Sequence, residues 1–141
     1  MGSAEAVIAP VAILMLALTG PGEINYDRAL DAIAQQETGN RFIGGQVIYF
    51  RHVRNGTAAS AFQITRAVSN DLRASWCRIQ TDSRYASICA ARWLAHLVQV
   101  TGSLRQAFAA YRLGLGHRDW PEAQAYAARA MNLYLNNQGN K

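Results

Sequence analysis

Cysteine is scarce in this chain and histidine little commoner. Cys77 and Cys89 stand twelve positions apart, outside any C-x-x-C pair, and His52, His96 and His117 are scattered. No metal-ligand spacing results, so no metal is expected. In an oxidising compartment the two thiols can close a small loop; in the cytosol they are ordinary thiols. A cysteine with one of the histidines would make a nucleophile and base, but no surrounding motif supports that pairing. Proline is also sparse, at three residues, and charged residues reach 16% against 50% hydrophobic. With no low-complexity tract, that balance excludes a disordered chain and points to one folded domain with its own core.

Long apolar runs are limited to "AEAVIAPVAILMLALTG", residues 4 to 20. Its centre, Ala6 to Leu18, has the length of a signal-peptide hydrophobic region and is too short to span a bilayer comfortably. No Lys or Arg precedes it, Glu5 sits where positive charge belongs, and Ala17 and Thr19 before Gly20 make a poor cleavage site. Residues 1–22 are therefore read as a signal-like segment, or one that touches membrane or a partner through residues 6–18, with "GPGE" at 20–23 as linker. The globular domain runs from 23 to 141. Thirteen arginines and one lysine against nine acidic residues give a formal charge of +5. This favours polyanionic partners such as cell-wall polymers, membrane surfaces or nucleic acid. No basic motif interleaved with aromatics is present, so nucleic acid is not expected, and Arg51, Arg54 and Arg66 read as a basic rim. The sequence says nothing of oligomeric state.

What is present is mostly helix. Asn25 or Asp27 caps a first helix that runs to about Glu37, where "TGN" at 38–40 supplies the stop. "QVIYFRHV" at 46–53 is β-branched and aromatic, and "RNGT" at 54–57 carries an Asn-Gly turn, which predicts a small hairpin or ordered loop. Short helices resume after Gln63, with Ala67, Val68 and Leu72 on the inner face of one ending near Trp76. A polar loop holding Cys77 and "QTDS" follows. Tyr85 to Val100 is apolar on nearly every side and reads as a central buried helix. Leu104, Ala107, Phe108 and Tyr111 mark the next, and Pro121 opens the last, whose inner side carries Ala123, Tyr126, Ala127, Ala130 and Tyr134. Trp76, Trp93 and Trp120 are expected to anchor the core rather than to carry sugars. The fold class is mainly α with one small β excursion.

"IAQQETGN", residues 33 to 40, holds the residue of greatest chemical interest. Leu30, Ile33 and Ala34 lie seven, four and three residues before Glu37, which puts this carboxylate on an apolar helical face. It must be paired, solvated through a cleft or neutralised by a raised pKa. A carboxyl at a helix C-terminus among apolar neighbours tends to keep its proton, and a protonated carboxyl near neutral pH is a general acid suited to glycosidic bonds. No Asp or Glu follows before Asp71. A mechanism with one acid is therefore favoured over the two-carboxylate kind. The plain alternative is a structural Glu paired with an arginine.

"IAQQETGN", "GTAASAFQIT" at 56–65, "YASICAARWLAHLVQVTGSLRQAFAAYRLG" at 85–114 and "PEAQAYAARAMNLY" at 121–134 together resemble the successive blocks of the soluble lytic transglycosylases, lysozyme-like enzymes that degrade peptidoglycan. The resemblance implies an α+β lysozyme-like domain whose β-hairpin or loop lines a glycan cleft. The family's Glu-Ser dipeptide falls on Glu37 and Thr38, making Glu37 the catalytic acid and base. Its Gly-Leu-Met-Gln block falls on Ser60, Ala61, Phe62 and Gln63, and its Ala-Tyr-Asn block on Ala110, Tyr111 and Arg112. The last block falls on Pro121, Glu122, Tyr126 and Tyr134. Thr38, Ser60, Phe62, Gln63, Tyr111 and Tyr126 are thus the implied substrate-binding residues. Ser60 in place of glycine and Arg112 in place of asparagine depart from the pattern. The implied substrate is peptidoglycan glycan, cut with no metal or cofactor to a 1,6-anhydro end. The implied setting is the periplasm or cell envelope, or a virion. A hydrolytic muramidase and a non-catalytic, glycan-binding or structural module are the rival readings.

Overall fold

Asn25 opens the first helix by accepting a hydrogen bond from the Arg28 backbone N–H, and Gly39 closes it in the left-handed conformation, φ 77°. Both are the end signals that such residues supply. The computed structural model describes residues 23–43, 46–47 and 57–136. After α1 (Tyr26–Thr38), β1 (Phe42–Ile43) pairs antiparallel with β2 (Gln46–Val47), and β3 (Ala58–Ala59) with β4 (Ile64–Thr65). Five further helices follow: α2 (Arg66–Asp71), α3 (Trp76–Thr81), α4 (Ser83–Thr101), α5 (Leu104–Leu113) and α6 (Pro121–Asn136). A 3-10 turn, Leu115–His117, lies between the last two. The architecture is mainly α, as the periodicity predicts.

The core gathers the apolar faces of these helices around Ile33, Phe62, Ile79, Leu94, Leu97 and Phe108, all fully buried. Helix α6 packs against α5 and α1, and α4 against α5 and α3. The inner side of α6 is built of Ala123, Ala127, Ala130, Tyr126 and Tyr134, as the sequence predicts. The Tyr134 hydroxyl accepts a hydrogen bond from the Asn25 backbone N–H at 3.0 Å, which ties the last helix to the start of the first. Ser75, Asp82 and Ser103 each cap the helix that follows them by accepting a backbone N–H bond.

Several expectations need correction. The predicted polar loop at Cys77 is a helix, α3, because the Ser75 cap and the buried Ile79 outweigh the polar character of "QTDS". Consequently α2 stops at Asp71 and Trp76 begins a new element. Within α2 the inner positions are Val68 and the buried Ser69, while Ala67 faces solvent. Helix α4 is buried along most of its length, but His96, Gln99 and Val100 are exposed near its end. Trp76 and Trp93 pack against the core, whereas Trp120 is 54% exposed, with its ring against the edge of His117 at 4.2 Å. Cys77 and Cys89 are both free: the first is exposed, and the second is buried with its thiol pKa pushed up to about 11, chiefly by burial. The β excursion begins earlier than predicted, at Phe42, and includes a second ladder around residues 60–63. The Asn-Gly turn, Arg51, His52, Arg54 and residues 6–18 lie outside the described residues.

Candidate active site

Helix α1 delivers Glu37 to the point where its last turn meets α5 and α6. Leu30, Ile33 and Ala34 on the same face are buried, and Glu37 itself is only half-buried. Burial holds the carboxyl pKa above its ordinary value of 4.5, and it is the largest influence; Tyr126 and then Arg112 pull the other way. Among the described residues no arginine closes an ion pair on Glu37. Of the three ways to tolerate the carboxylate, a raised pKa with partial access to solvent is therefore the one realised. Among the described residues no carboxylate acts on its titration.

Two tyrosines flank the acid. Tyr111, from α5, is half-buried and its hydroxyl donates to the Phe62 carbonyl at 2.8 Å. Tyr126, from α6, is 3% exposed. Its hydroxyl lies close enough to Glu37 to lower that carboxyl's pKa, yet it completes no hydrogen bond within ordinary geometric limits. Burial, and then the neighbouring Glu37, hold both phenols well above their usual pKa, so both remain protonated donors. Tyr126→Phe deletes a buried hydroxyl that completes no hydrogen bond. Below pH 4.5, where Glu37 is protonated folded or unfolded, it should leave stability unchanged or raise it by up to about 1 kcal/mol, a gain that the higher Glu37 pKa offsets above that window. It should also shift the Glu37 titration to higher pH. Urea midpoints and carboxyl NMR titration measure the two effects.

The segment 60–63, held between β3 and β4, is pinned beside this acid. Its backbone is bent by positive φ at Ser60 (75°) and Gln63 (49°), a conformation that a Cβ disfavours. Ser60 thus adopts a conformation more natural to glycine. Its hydroxyl accepts from the Phe62 N–H at 3.2 Å, and its carbonyl accepts from the Gln63 side chain at 2.9 Å. The Thr38 hydroxyl lies 3.0 Å from the Ala61 carbonyl and 3.1 Å from that of Ala34, and it accepts from Asn40 at 2.7 Å.

Of the predicted substrate-binding residues, the structure sets Tyr111 and Tyr126 beside Glu37, leaves Gln63 half-buried in the turn with its amide on the Ser60 carbonyl, and withdraws three others. The Phe62 side chain is fully buried, edge-on to Phe42 at 5.5 Å. Ser60 and Thr38 are buried as well, their hydroxyls committed to internal bonds. These three shape the site from beneath, because the apolar and hydrogen-bonding demands of the turn take their side chains inward.

Besides the exposed Arg78–Asp82 pair, two ion pairs escaped the sequence reading. Asp31, 2% exposed, accepts from the Arg41 guanidinium and from the Phe42 backbone N–H, which fastens β1 to α1. A charge within "ALDAIA", otherwise apolar, was the available signal. Arg112 Nη2 donates to Glu122 Oε2 at 3.1 Å. Its signal is positional: the last turn of one helix and the first turn of the next meet across a short loop. Arg112 is also the cation that acts on Glu37. Compared with protein-family models, curated proteins and solved structures, the chain matches none.

Proposed function

We propose that this chain is a lysozyme-like lytic transglycosylase acting on peptidoglycan, with Glu37 as its single acid and base. The observation that carries the reading is the Glu37 carboxyl itself: raised in pKa by burial, free of any ion pair among the described residues and flanked by two protonated phenols. Protonated Glu37 donates to the oxygen joining N-acetylmuramic acid to N-acetylglucosamine, and that bond breaks. The substrate's own N-acetyl group relieves the charge that develops at the anomeric carbon. Glu37, now anionic, removes the proton of the muramic 6-hydroxyl as its oxygen attacks that carbon. A 1,6-anhydro end forms and the acid is regenerated. Burial serves the first half and the Tyr126 hydroxyl the second, since a nearby donor stabilises the carboxylate.

The substrate places the protein in the periplasm, at the cell envelope or on a virion, where it would open the wall locally for a phage or secretion apparatus. Among the described residues no helix is long and apolar enough to cross a membrane. A second reading, a non-catalytic glycan-binding or structural component of such an apparatus, is favoured by one feature: Arg112 brings positive charge to the acid and opposes its protonation. Digestion of purified peptidoglycan separates the readings. Muropeptides with anhydro ends support the transglycosylase, and reducing ends identify a hydrolytic muramidase. Sedimentation with the glycan and no released product assigns the binding component.

A further inference from the structure

We propose that Glu122 is a positioning residue for this acid: by holding the Arg112 guanidinium where α5 ends, it keeps that cation from closing on Glu37. The inference rests on the reading of Glu37 as a proton donor. Arg112 occupies the last turn of α5 and Glu122 the first turn of α6, and one 3.1 Å hydrogen bond joins them. The intervening loop is braced so that Glu122 is held in place. The His117 N–H donates to Gly114, the Trp120 N–H to His117, the Arg118 guanidinium to Leu115 and the Gln124 side chain to Arg118. Both members of the pair are solvent-exposed, at 42% and 61% of their side chains, so the pair adds little to stability. Its weight falls on the neighbouring carboxyl instead.

Among the described residues, the titratable and charged groups that face Glu37 are Tyr126 from α6 and Tyr111 and Arg112 from α5. The phenols stay neutral, which leaves Arg112 as the only one of the three that carries charge. An arginine in direct contact with a carboxylate lowers its pKa by about 1–3 units, which opposes proton donation by a general acid. Anchoring that guanidinium to a second carboxylate preserves proton donation while keeping a cation nearby for the anionic step. The arginine found where the resembled family carries asparagine is thereby made compatible with an acid.

The test is a double-mutant cycle read by NMR titration of the Glu37 carboxyl in the full chain: wild type, Glu122→Gln, Arg112→Gln and both together. Glu122→Gln should lower the Glu37 midpoint by about one pH unit. In the Arg112→Gln background the same change should move it far less, because the effect runs through the guanidinium. Peptidoglycan turnover should follow, with Glu122→Gln losing about tenfold on the basic limb of its pH profile. An unmoved titration in Glu122→Gln overturns the inference, and so does an equal shift in both backgrounds, which would mean that Glu122 acts by its own charge alone. The expected shifts in a wild-type chain that releases no muropeptides would support the role of Glu122 and overturn the proposed cleavage.

Discussion

Glu37→Gln should lower the rate of glycan cleavage by about 10²–10⁴-fold, the range that a positioned general acid contributes, while making the fold more stable at neutral pH. The loss follows because glutamine keeps the shape of the side chain but can neither donate nor recover the acidic proton. The gain follows from linkage. The native carboxyl titrates above its ordinary value of 4.5. Between that value and the native one, the folded chain holds a proton that the unfolded chain has released. Stability therefore falls as pH rises through this window, and the whole penalty is present above it. Below pH 4.5 both states are protonated and the penalty vanishes. Urea unfolding of wild type and variant at pH 7 and near pH 4 should show the variant more stable at the first and equal at the second. Lower stability at pH 7 would mean that the carboxylate is a favourable structural charge, and the acid role would fall with it. A group that costs stability where it sits is what a functional site is expected to retain.

Asp31→Ala should cost about 3 kcal/mol, a large share of the stability of a domain this size. The carboxylate is almost fully buried and receives both the Arg41 guanidinium and the Phe42 N–H. Its Oδ2 also accepts from Gln35 at 3.0 Å. Alanine leaves that N–H buried without its acceptor. Arg41, 26% exposed, reaches water in part, which keeps the cost at the lower end for a broken buried pair. Asp31→Asn retains an acceptor of the same shape and should cost less. Denaturant midpoints for the two variants measure the difference. The effect extends to the site, because Phe42 packs edge-on against Phe62, whose carbonyl accepts from Tyr111 beside the acid. Loosening β1 from α1 should therefore disturb the Glu37 titration as well.

The elements that local chemistry specifies were legible beforehand. Asn25 and Gly39 bound α1 because an Asx cap and a left-handed glycine act within a few residues of themselves. The apolar spacing of Leu104, Ala107 and Phe108 and of Ala123, Tyr126 and Tyr134 identified the inner faces of α5 and α6 in the same way. Helix α3 was missed because a six-residue helix carries too short a period to compete with polar composition, and its Ser75 cap matters only once Ile79 has a core to enter. Trp120 was misplaced because its ring stands on a braced loop that no periodicity describes.

The candidate site divides along the same line. The sequence by itself determined that a carboxylate stands on an apolar helical face, that no second acid follows for more than thirty residues, and that tyrosines recur on the inner sides of two later helices. Only the tertiary structure decided what surrounds the acid. It turned Ser60, Phe62 and Thr38 inward, left Tyr126 with an unpartnered hydroxyl, and joined Arg112 at the end of α5 to Glu122 at the start of α6. The physical reason is range. Caps and helical faces are set by neighbours three or four residues away, whereas a pKa is set by whatever folding brings within a few ångströms, and in this site those groups come from positions 70 to 90 residues further along the chain.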